Sequence, residues 1–157
     1  MADAEDTDRI APPGSIGRIE PCPILLVEDD ASARDFLAEA LRLHGHEVDA
    51  VGSCLQAREK LASGLYSSIL LDVVLPDTSG IFLYYGIKAR WPDLVSRVIF
   101  MTGAIERHPH LGVLRQAERP VLLKPIRFSE VLQAIREVSG GISQTRRTRS
   151  LTSNEPG

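Results

Sequence analysis

Residues 24–30 read ILLVEDD, four apolar residues followed by three carboxylates. A short apolar run rich in branched side chains is typical of a strand that is buried on both faces of a sheet. Three neighbouring acids repel one another, so the chain concentrates negative charge at the point where this strand ends. The stretch therefore predicts a buried strand with a polar site at its carboxyl end.

Similar apolar runs recur along the chain, and a segment with helical spacing follows each of them. Strands that alternate with helices are joined by right-handed crossovers into a parallel sheet that is covered on both faces. We therefore predict an α/β three-layer domain, a (βα)5 fold whose parallel five-stranded sheet has the flavodoxin-like order 2-1-3-4-5. The predicted strands are Ile24–Val27, Val48–Val51, Ile69–Leu71, Val98–Met101 and Val121–Leu123.

The helical segments carry start and stop signals. Asp30 is placed to cap the first helix, and Ser53 with Gln56 resembles a capping box before the second. Gly140–Gly141 is the predicted end of the last helix. Apolar residues of the first helix are predicted to share one face: Phe36, Leu37, Ala40, Leu41 and Leu43.

The two ends of the chain differ from its middle, because they are polar and have no hydrophobic periodicity. A segment of this kind cannot bury enough apolar surface to offset its ordering entropy. We predict a flexible leader at residues 1–21, one domain at residues 22–140 and a flexible polar tail at residues 141–157.

Composition excludes several classes of protein. The net charge of −3 lacks the basic excess of a dedicated nucleic-acid binder, so we expect no DNA binding by this chain. Apolar runs fall well short of the ~20 residues that span a bilayer. The acidic N-terminus lacks the order of a signal peptide, and Cys22 and Cys54 have no C-x-x-C partner. We therefore expect a cytoplasmic protein with free thiols and no membrane partner.

Chemically active side chains follow four of the five runs, namely Glu28–Asp29, Asp72, Thr102 and Lys124. Each alone has an ordinary structural interpretation, as a helix cap, a turn former or an exposed charge. Ligands of open α/β sheets, however, bind beyond the carboxyl ends of the strands, where the strand order reverses. The coincidence of four such strand ends therefore predicts a functional site.

The stretches of sequence around these four strand ends together resemble the receiver domain of two-component response regulators, and the resemblance covers about residues 22–139. The resemblance implies that Asp72 is the phosphoacceptor, that Thr102 is the switch hydroxyl and that Lys124 contacts the phosphoryl group. It implies a bound Mg²⁺ (or Mn²⁺), a hard cation that relieves the repulsion among the carboxylates. The metal ligands it implies are Glu28, Asp29, Asp72 and the backbone carbonyl of Val74. The matching pieces are ILLVEDD (24–30), ILLDVVLPDTSG (69–80), VIFMTG (98–103) and VLLKP (121–125).

The implied partners are a sensor histidine kinase or histidine phosphotransfer protein, a downstream protein target and, as a further state, a homodimer. The resemblance implies no dedicated enzyme, but a protein that catalyses its own aspartyl phosphorylation. The apolar Val74 and Ala104, beside the expected water path, favour slow dephosphorylation. The output face of the family is formed by the fourth helix, fifth strand and fifth helix. Here Pro109 and Gly112 weaken the fourth helical segment, residues 105–117.

Some features depart from the family. Val121 stands where many receivers have an aromatic residue, Glu28 stands where Asp is common, and the tail is too short for an output domain.

We rank a stand-alone receiver first, a phosphorelay shuttle second and a receiver from a hybrid histidine kinase third, since the leading Met favours a complete product. An unphosphorylated scaffold receiver is a further alternative. A flavin or nucleotide module would need a phosphate-binding loop, and a D-x-D phosphatase would need an acid in place of Val74.

Overall fold

The structure is a computed structural model that describes residues 22–103, Pro109 and residues 111–149. The predicted leader, Ala104 and the last residues of the predicted tail, 150–157, lie outside the described residues. The strands are β1 Ile24–Val27, β2 Val48–Val51, β3 Ser68–Asp72, β4 Val98–Thr102 and β5 Val121–Leu123. The helices are α1 Ala31–Leu43, α2 Cys54–Ser63, α3 Gly80–Arg90, α4 Leu111–Gln116 and α5 Phe128–Arg149, with a 3₁₀ helix at Pro92–Arg97.

All strand pairs are parallel and the sheet order is β2-β1-β3-β4-β5, which confirms the predicted fold. Successive residues of β1 point to opposite faces of the sheet. Leu25 and Val27 contribute to a core with α2, α3 and α4, whereas Ile24 and Leu26 contribute to a core with α1 and α5. The edge strand β5 is less buried than the sequence suggested, because one of its sides has no neighbour, and Leu123 is 50% exposed.

The predicted helix caps are confirmed. Asp30 accepts a hydrogen bond from the Ala33 N–H at 2.7 Å, and the Ser53 hydroxyl accepts one from the Gln56 N–H at 3.2 Å. The Gln56 side chain accepts from the Gly52 N–H at 2.9 Å, one residue before the N-cap that a standard capping box would use. The first turns of α1 and α2 are therefore fixed by local contacts that the sequence encodes.

The buried face of α1 differs from the prediction. Ala38 and Leu41 are buried, whereas Phe36 is 73% exposed and Leu43 is 80% exposed. At 100° per residue, Phe36 lies about 170° around the helix from the midpoint between Ala38 and Leu41. The predicted face was thus too wide, and its outer side faces solvent.

The predicted end of the last helix was also wrong, since α5 continues past Gly140–Gly141 to Arg149. Glycine costs about 1 kcal/mol relative to alanine inside a helix, but it keeps the N–H and C=O groups that the helix needs. Two glycines therefore weaken the helix without ending it.

The fourth helix covers only part of the predicted segment, and its low stability, expected from Pro109 and Gly112, stays a prediction. It begins at Leu111, after Pro109, and has six residues. Residues 105–108 and His110 of the predicted segment lie outside the described residues. Within the described part of the chain, no helix is long and apolar enough to cross a membrane.

Both cysteines are free thiols, as predicted. Cys22 is exposed and Cys54 is buried at the start of α2. Burial, reinforced by the nearby charge of Asp77, raises the pKa of the Cys54 thiol to about 12. Because the thiolate is the reactive form, Cys54 is inert at neutral pH.

Trp91 ends α3 and packs partly buried against the core that contains α2 and α3. The Arg90 guanidinium lies over its ring, 5.5 Å from the centroid. Because α3 runs back from the carboxyl edge of the sheet, its eleven residues carry Trp91 about 16 Å toward the opposite edge.

Asp77, in the loop between β3 and α3, joins this loop to α2. Its two carboxylate oxygens accept hydrogen bonds from the N–H groups of Cys54 and Leu55, each at 3.0 Å. These are N–H groups of the first turn of α2, which have no partner inside the helix. Asp77 therefore supplies a second cap to α2 from a distant part of the chain.

Replacing Asp77 by alanine is expected to lower the free energy of unfolding by about 1 kcal/mol at pH 7, as for the loss of a helix cap. The hydrogen bond from the Cys54 N–H is the main cause that holds the Asp77 pKa below its usual value. A lowered folded-state pKa stabilises the fold above the ordinary value of 3.8, and this contribution is lost as the pH falls through the folded-state pKa.

Urea unfolding of wild type and Asp77→Ala at pH 7 and below pH 3.8 tests this expectation. Asp93→Ala is the control, because Asp93 is an exposed acid of the 3₁₀ helix that caps nothing. If the free energies of unfolding of wild type and Asp77→Ala differ by the same amount at both pH values, the Asp77 carboxylate is not the cap of α2.

Candidate functional site

The carboxyl edge of the sheet collects the polar residues that the sequence singled out. Glu28 and Asp29 follow β1, Asp72 ends β3, Thr102 ends β4 and Lys124 follows β5. Strand pairing sets this arrangement, since β1 and β4 flank β3 and β5 flanks β4. The Lys124 N–H donates to the Thr102 carbonyl at 2.8 Å, which ties the last two of these strand ends together.

The Lys124 side chain lies between two buried carboxylates. Its Nζ is 2.6 Å from Asp72 Oδ2 and 2.8 Å from Glu28 Oε2. The side chains of Asp72 and Glu28 are 4% and 3% exposed, whereas that of Lys124 is 34% exposed, so the carboxylates are buried and the ammonium group closes them off from the solvent side. The structure therefore brings together three of the predicted site residues in direct contact.

The backbone holds the other oxygens of these two carboxylates. Asp72 Oδ1 accepts from the Val74 N–H at 2.9 Å, and Glu28 Oε1 accepts from the Asp30 N–H at 3.1 Å. Each acid thus has one oxygen on the backbone and one on Lys124. Val74 lies beside the Asp72 carboxylate, as expected for a neighbour of the site, and its side chain is 60% exposed.

Glu28, Asp29 and Asp72 form an acidic cluster in which one carboxylate oxygen of each lies within 4.8 Å of the others. Burial raises the pKa of Glu28; the Lys124 hydrogen bond opposes this shift and the charge of Asp72 adds to it. Burial alone would lower the pKa of Lys124, but its hydrogen bonds to Asp72 and Glu28 raise it. Each group thus favours the charged form of the other: Lys124 opposes the upward shift of the Glu28 pKa, and Glu28 helps to raise the Lys124 pKa.

The donor set of this cluster fits a hard divalent cation. Three carboxylates face one ammonium group, so the cluster carries excess negative charge when all three acids are ionised. Mg²⁺ is usually bound through one or two carboxylates together with water and phosphate oxygens. Glu28, Asp29 and Asp72 are the residues that would hold such an ion.

Thr102 is buried, with 1% of its surface exposed, and its hydroxyl has no hydrogen-bond partner among the described residues. A buried hydroxyl without a partner costs about 1–3 kcal/mol. The cost is recovered when a ligand oxygen accepts the hydrogen bond. The predicted switch residue is therefore placed at the site with an unused donor.

Gly80 permits the close packing behind Asp72. A Cβ at this position would lie 2.1 Å from the Asp72 carbonyl oxygen, and the Gly80 N–H donates to the Val73 carbonyl at 2.9 Å. The start of α3 is thus pressed against the strand end that carries Asp72. A side chain larger than a hydrogen atom does not fit in this gap.

An apolar cleft of about 220 Å³ opens beside the acidic cluster, between α1 and the segment that follows β5. Glu28 and Lys124 form its polar end, and the exposed ring of Phe36 forms part of its wall. The outward face of α1, which the sequence placed in the core, therefore borders the site.

Sequence reasoning missed two residues that organise this edge. The sequence patterns singled out neither Asp77 nor Arg34. Arg34 Nη1 donates to the Glu28 carbonyl at 3.0 Å. An arginine one turn into a helix that follows an acidic loop is a signal that could have suggested this contact.

Comparison with known proteins gives a consistent result. The family model of the response regulator receiver domain matches residues 24–136. The chain is similar to the response regulator protein FleR of Pseudomonas aeruginosa, with 34% identity over 112 residues, 71% of this chain and 23% of FleR. It is similar to the response regulator receiver protein CpdR of Brucella abortus, with 33% identity over 117 residues, 73% of this chain and 94% of CpdR.

Among solved structures, the chain is similar to the response regulator protein TrrA of Thermotoga maritima in complex with Mg²⁺-BeF. The identity is 26%, the TM-score is 0.66, and the match covers 74% of this chain and 98% of TrrA.

Proposed function

The chain belongs to the receiver domain family of the response regulators of two-component signalling, and on this premise we propose that it accepts a phosphoryl group on Asp72. The donor is a sensor histidine kinase or a histidine phosphotransfer protein, and the cofactor is Mg²⁺ or Mn²⁺. The observation that carries this proposal is the contact of Lys124 Nζ with both Asp72 and Glu28. The TrrA complex, which contains Mg²⁺-BeF, supports the choice of cofactor.

Asp72 is the nucleophile in this proposal. A carboxylate oxygen of Asp72 forms a bond to phosphorus while the bond from phosphorus to the donor histidine nitrogen breaks, and the electron pair of that bond returns to the imidazole. Val74 and Lys124 fix the direction of the carboxylate through one hydrogen bond to each of its oxygens. The Lys124 ammonium then stays beside the phosphoryl oxygens as a point charge.

The acidic cluster prepares the site for this transfer. When bound, a divalent cation supplies the positive charge that lets two anions approach each other. Glu28 and Asp29 hold it beside Asp72, and the backbone carbonyl of Val74 is the further ligand that we propose. Because Glu28 is buried and Asp29 is exposed, Glu28 would hold such an ion from the protein interior and Asp29 from the solvent side.

In this proposal Thr102 responds to the phosphorylation of Asp72. Its unused hydroxyl donates a hydrogen bond to a phosphoryl oxygen, and this contact draws the end of β4 and Gly103 toward Asp72. The short helix α4 follows that segment and has few turns to resist movement. A change there alters the face formed by α4, β5 and α5, which we propose as the docking surface for a downstream protein.

The phosphoryl donor docks over the cleft beside Lys124. The exposed Phe36 and the apolar wall offer a contact for an apolar surface of the donor next to the site.

We propose that the protein is a stand-alone cytoplasmic receiver. Its match to nearly all of CpdR but to 23% of FleR is consistent with either a separate protein or one part of a larger one.

Incubation with acetyl phosphate and Mg²⁺, followed by intact mass measurement, tests the proposal. We expect a single phosphoryl adduct that maps to the peptide containing Asp72, and no adduct when the divalent cation is removed with a chelator. The absence of any adduct with Mg²⁺ present would overturn the proposal and favour an unphosphorylated scaffold receiver.

A further inference from the structure

Arg34 reaches back from α1 to the loop that carries the acidic cluster. Its Nη1 donates to the Glu28 carbonyl at 3.0 Å and to the Asp29 carbonyl at 3.4 Å. Both acceptors belong to the two acids that this loop contributes to the acidic cluster. Hydrogen bonds from a charged donor are about twice as strong as neutral ones, so this contact restrains the loop more than an ordinary backbone contact would.

The Asp29 side chain depends on this restraint. Glu28 is held on three sides, by the Val51 carbonyl, the Asp30 N–H and Lys124. The Asp29 carboxylate is exposed and makes no hydrogen bond within the described residues, so the backbone is the part of Asp29 that other residues hold in place. Arg34 contacts that backbone at the Asp29 carbonyl.

The β2–α2 loop leaves the space that Arg34 needs. A Cβ at Gly52 would lie 2.9 Å from Arg34 Nη1, closer than a real Cβ contact. The atom that this Cβ would meet is the far end of the Arg34 side chain, so a side chain at position 52 would displace the guanidinium while the Gly52 N–H keeps its contact with the Gln56 side chain at 2.9 Å. The guanidinium is thus enclosed between the Gly52 backbone and the two carbonyl groups of the acidic loop.

We infer that Arg34 is a positioning residue for the divalent cation: it fixes the carbonyl groups of Glu28 and Asp29 so that both carboxylates face the ion. The inference rests on the proposed function, because it deepens the role of the same acidic cluster. A single guanidinium nitrogen, Nη1, reaches both acceptors, and its two hydrogens suffice for the two contacts. A lysine is a single point charge and replaces this contact only in part.

Titration with Mn²⁺, followed by the electron paramagnetic resonance signal of the free ion, tests the inference. Arg34→Met is expected to weaken Mn²⁺ binding about 10-fold or more, as for other residues that orient metal ligands. Arg34→Lys is expected to restore part of the affinity. Unfolding of the metal-free protein, measured in the presence of a chelator, reports separately on any loss of stability.

Arg42→Met is the matched control. Arg42 lies on the same helix and also donates to a backbone carbonyl, that of Val48 at 2.9 Å, but far from the acidic cluster. This variant is expected to bind Mn²⁺ as wild type does. Equal losses of affinity in Arg34→Met and Arg42→Met would show a general effect of stability and overturn the inference.

The outcomes separate the inference from the proposed function. Wild type that binds no Mn²⁺ overturns the proposed function, whereas wild type and Arg34→Met that bind equally overturn the role of Arg34 alone. Should Arg34→Met fail to fold, Gly52→Ala decides, because it keeps the arginine and displaces its guanidinium. Weaker Mn²⁺ binding by folded Gly52→Ala supports the inference, and unchanged binding rejects it.

Discussion

Asp72→Asn is expected to take up no phosphoryl group from acetyl phosphate, whereas wild type forms a single adduct. The amide lacks the negative charge and the nucleophilic oxygen pair that form the aspartyl phosphate. The fold should survive, because the amide oxygen can still accept from the Val74 N–H and Glu28 keeps its contact with Lys124. The variant loses the ion pair of Asp72 with Lys124 but is relieved of the repulsion between Asp72 and Glu28. Because these effects offset each other, we expect the free energy of unfolding to change by about 1 kcal/mol or less.

Intact mass after incubation with Mg²⁺ checks this expectation, and urea unfolding confirms that the variant is folded. Asp93→Asn provides the control, since it removes an exposed aspartate of the 3₁₀ helix at the far edge of the sheet. We expect it to be modified like wild type. An adduct of wild-type extent on Asp72→Asn would move the acceptor to another residue and remove the basis of the proposed mechanism.

Gly80→Ala is expected to lower the free energy of unfolding by about 3 kcal/mol or more. The new Cβ would lie 2.1 Å from the Asp72 carbonyl oxygen and 3.0 Å from the Val73 Cα, both of them backbone atoms. A flexible side chain could move aside, but here either β3 or the start of α3 must shift. The shift also displaces Asp72, so phosphoryl uptake should fall together with stability.

Gly86→Ala is the matched control on the same helix. A Cβ at Gly86 would meet no atom within 4 Å, and alanine is the better helix former by about 1 kcal/mol. We therefore expect this variant to gain about 0.5–1 kcal/mol of stability. Urea unfolding compares the free energies of unfolding of the two variants. If Gly80→Ala is as stable as Gly86→Ala, the end of β3 at Asp72 can move aside at little cost.

Much of the fold could be predicted from the sequence, because its strands are short apolar runs with polar ends. The predicted bounds of β1, β2 and β5 agree with the structure, β3 is one residue longer at each end, and β4 is one residue longer at its carboxyl end. The same pattern located the site, since parallel strands bring their carboxyl ends to one edge. Helix caps were predictable for the same reason, as Asp30 and Ser53 act on their own helices.

Features that depend on distant neighbours could not be predicted in this way. The rotation of α1 about its axis is set by the sheet and α5, so the exposure of Phe36 was not visible in its local spacing. Asp77 lies more than twenty positions from the N–H groups it caps, and nothing in a turn-forming segment points to them. Arg34 is close in sequence to its acceptors, but the gap at Gly52 that admits its guanidinium belongs to another loop.

Trp91 gives the protein a built-in optical reporter. It is the single tryptophan of the chain, and it lies at the far end of α3 from the acidic cluster. Its emission follows the loss of packing when α3 separates from the core, while an ion arriving at the opposite edge leaves the surroundings of its ring in place. Trp91 fluorescence therefore measures folding, and the electron paramagnetic resonance of Mn²⁺ measures occupancy of the acidic cluster, so the two properties can be followed independently.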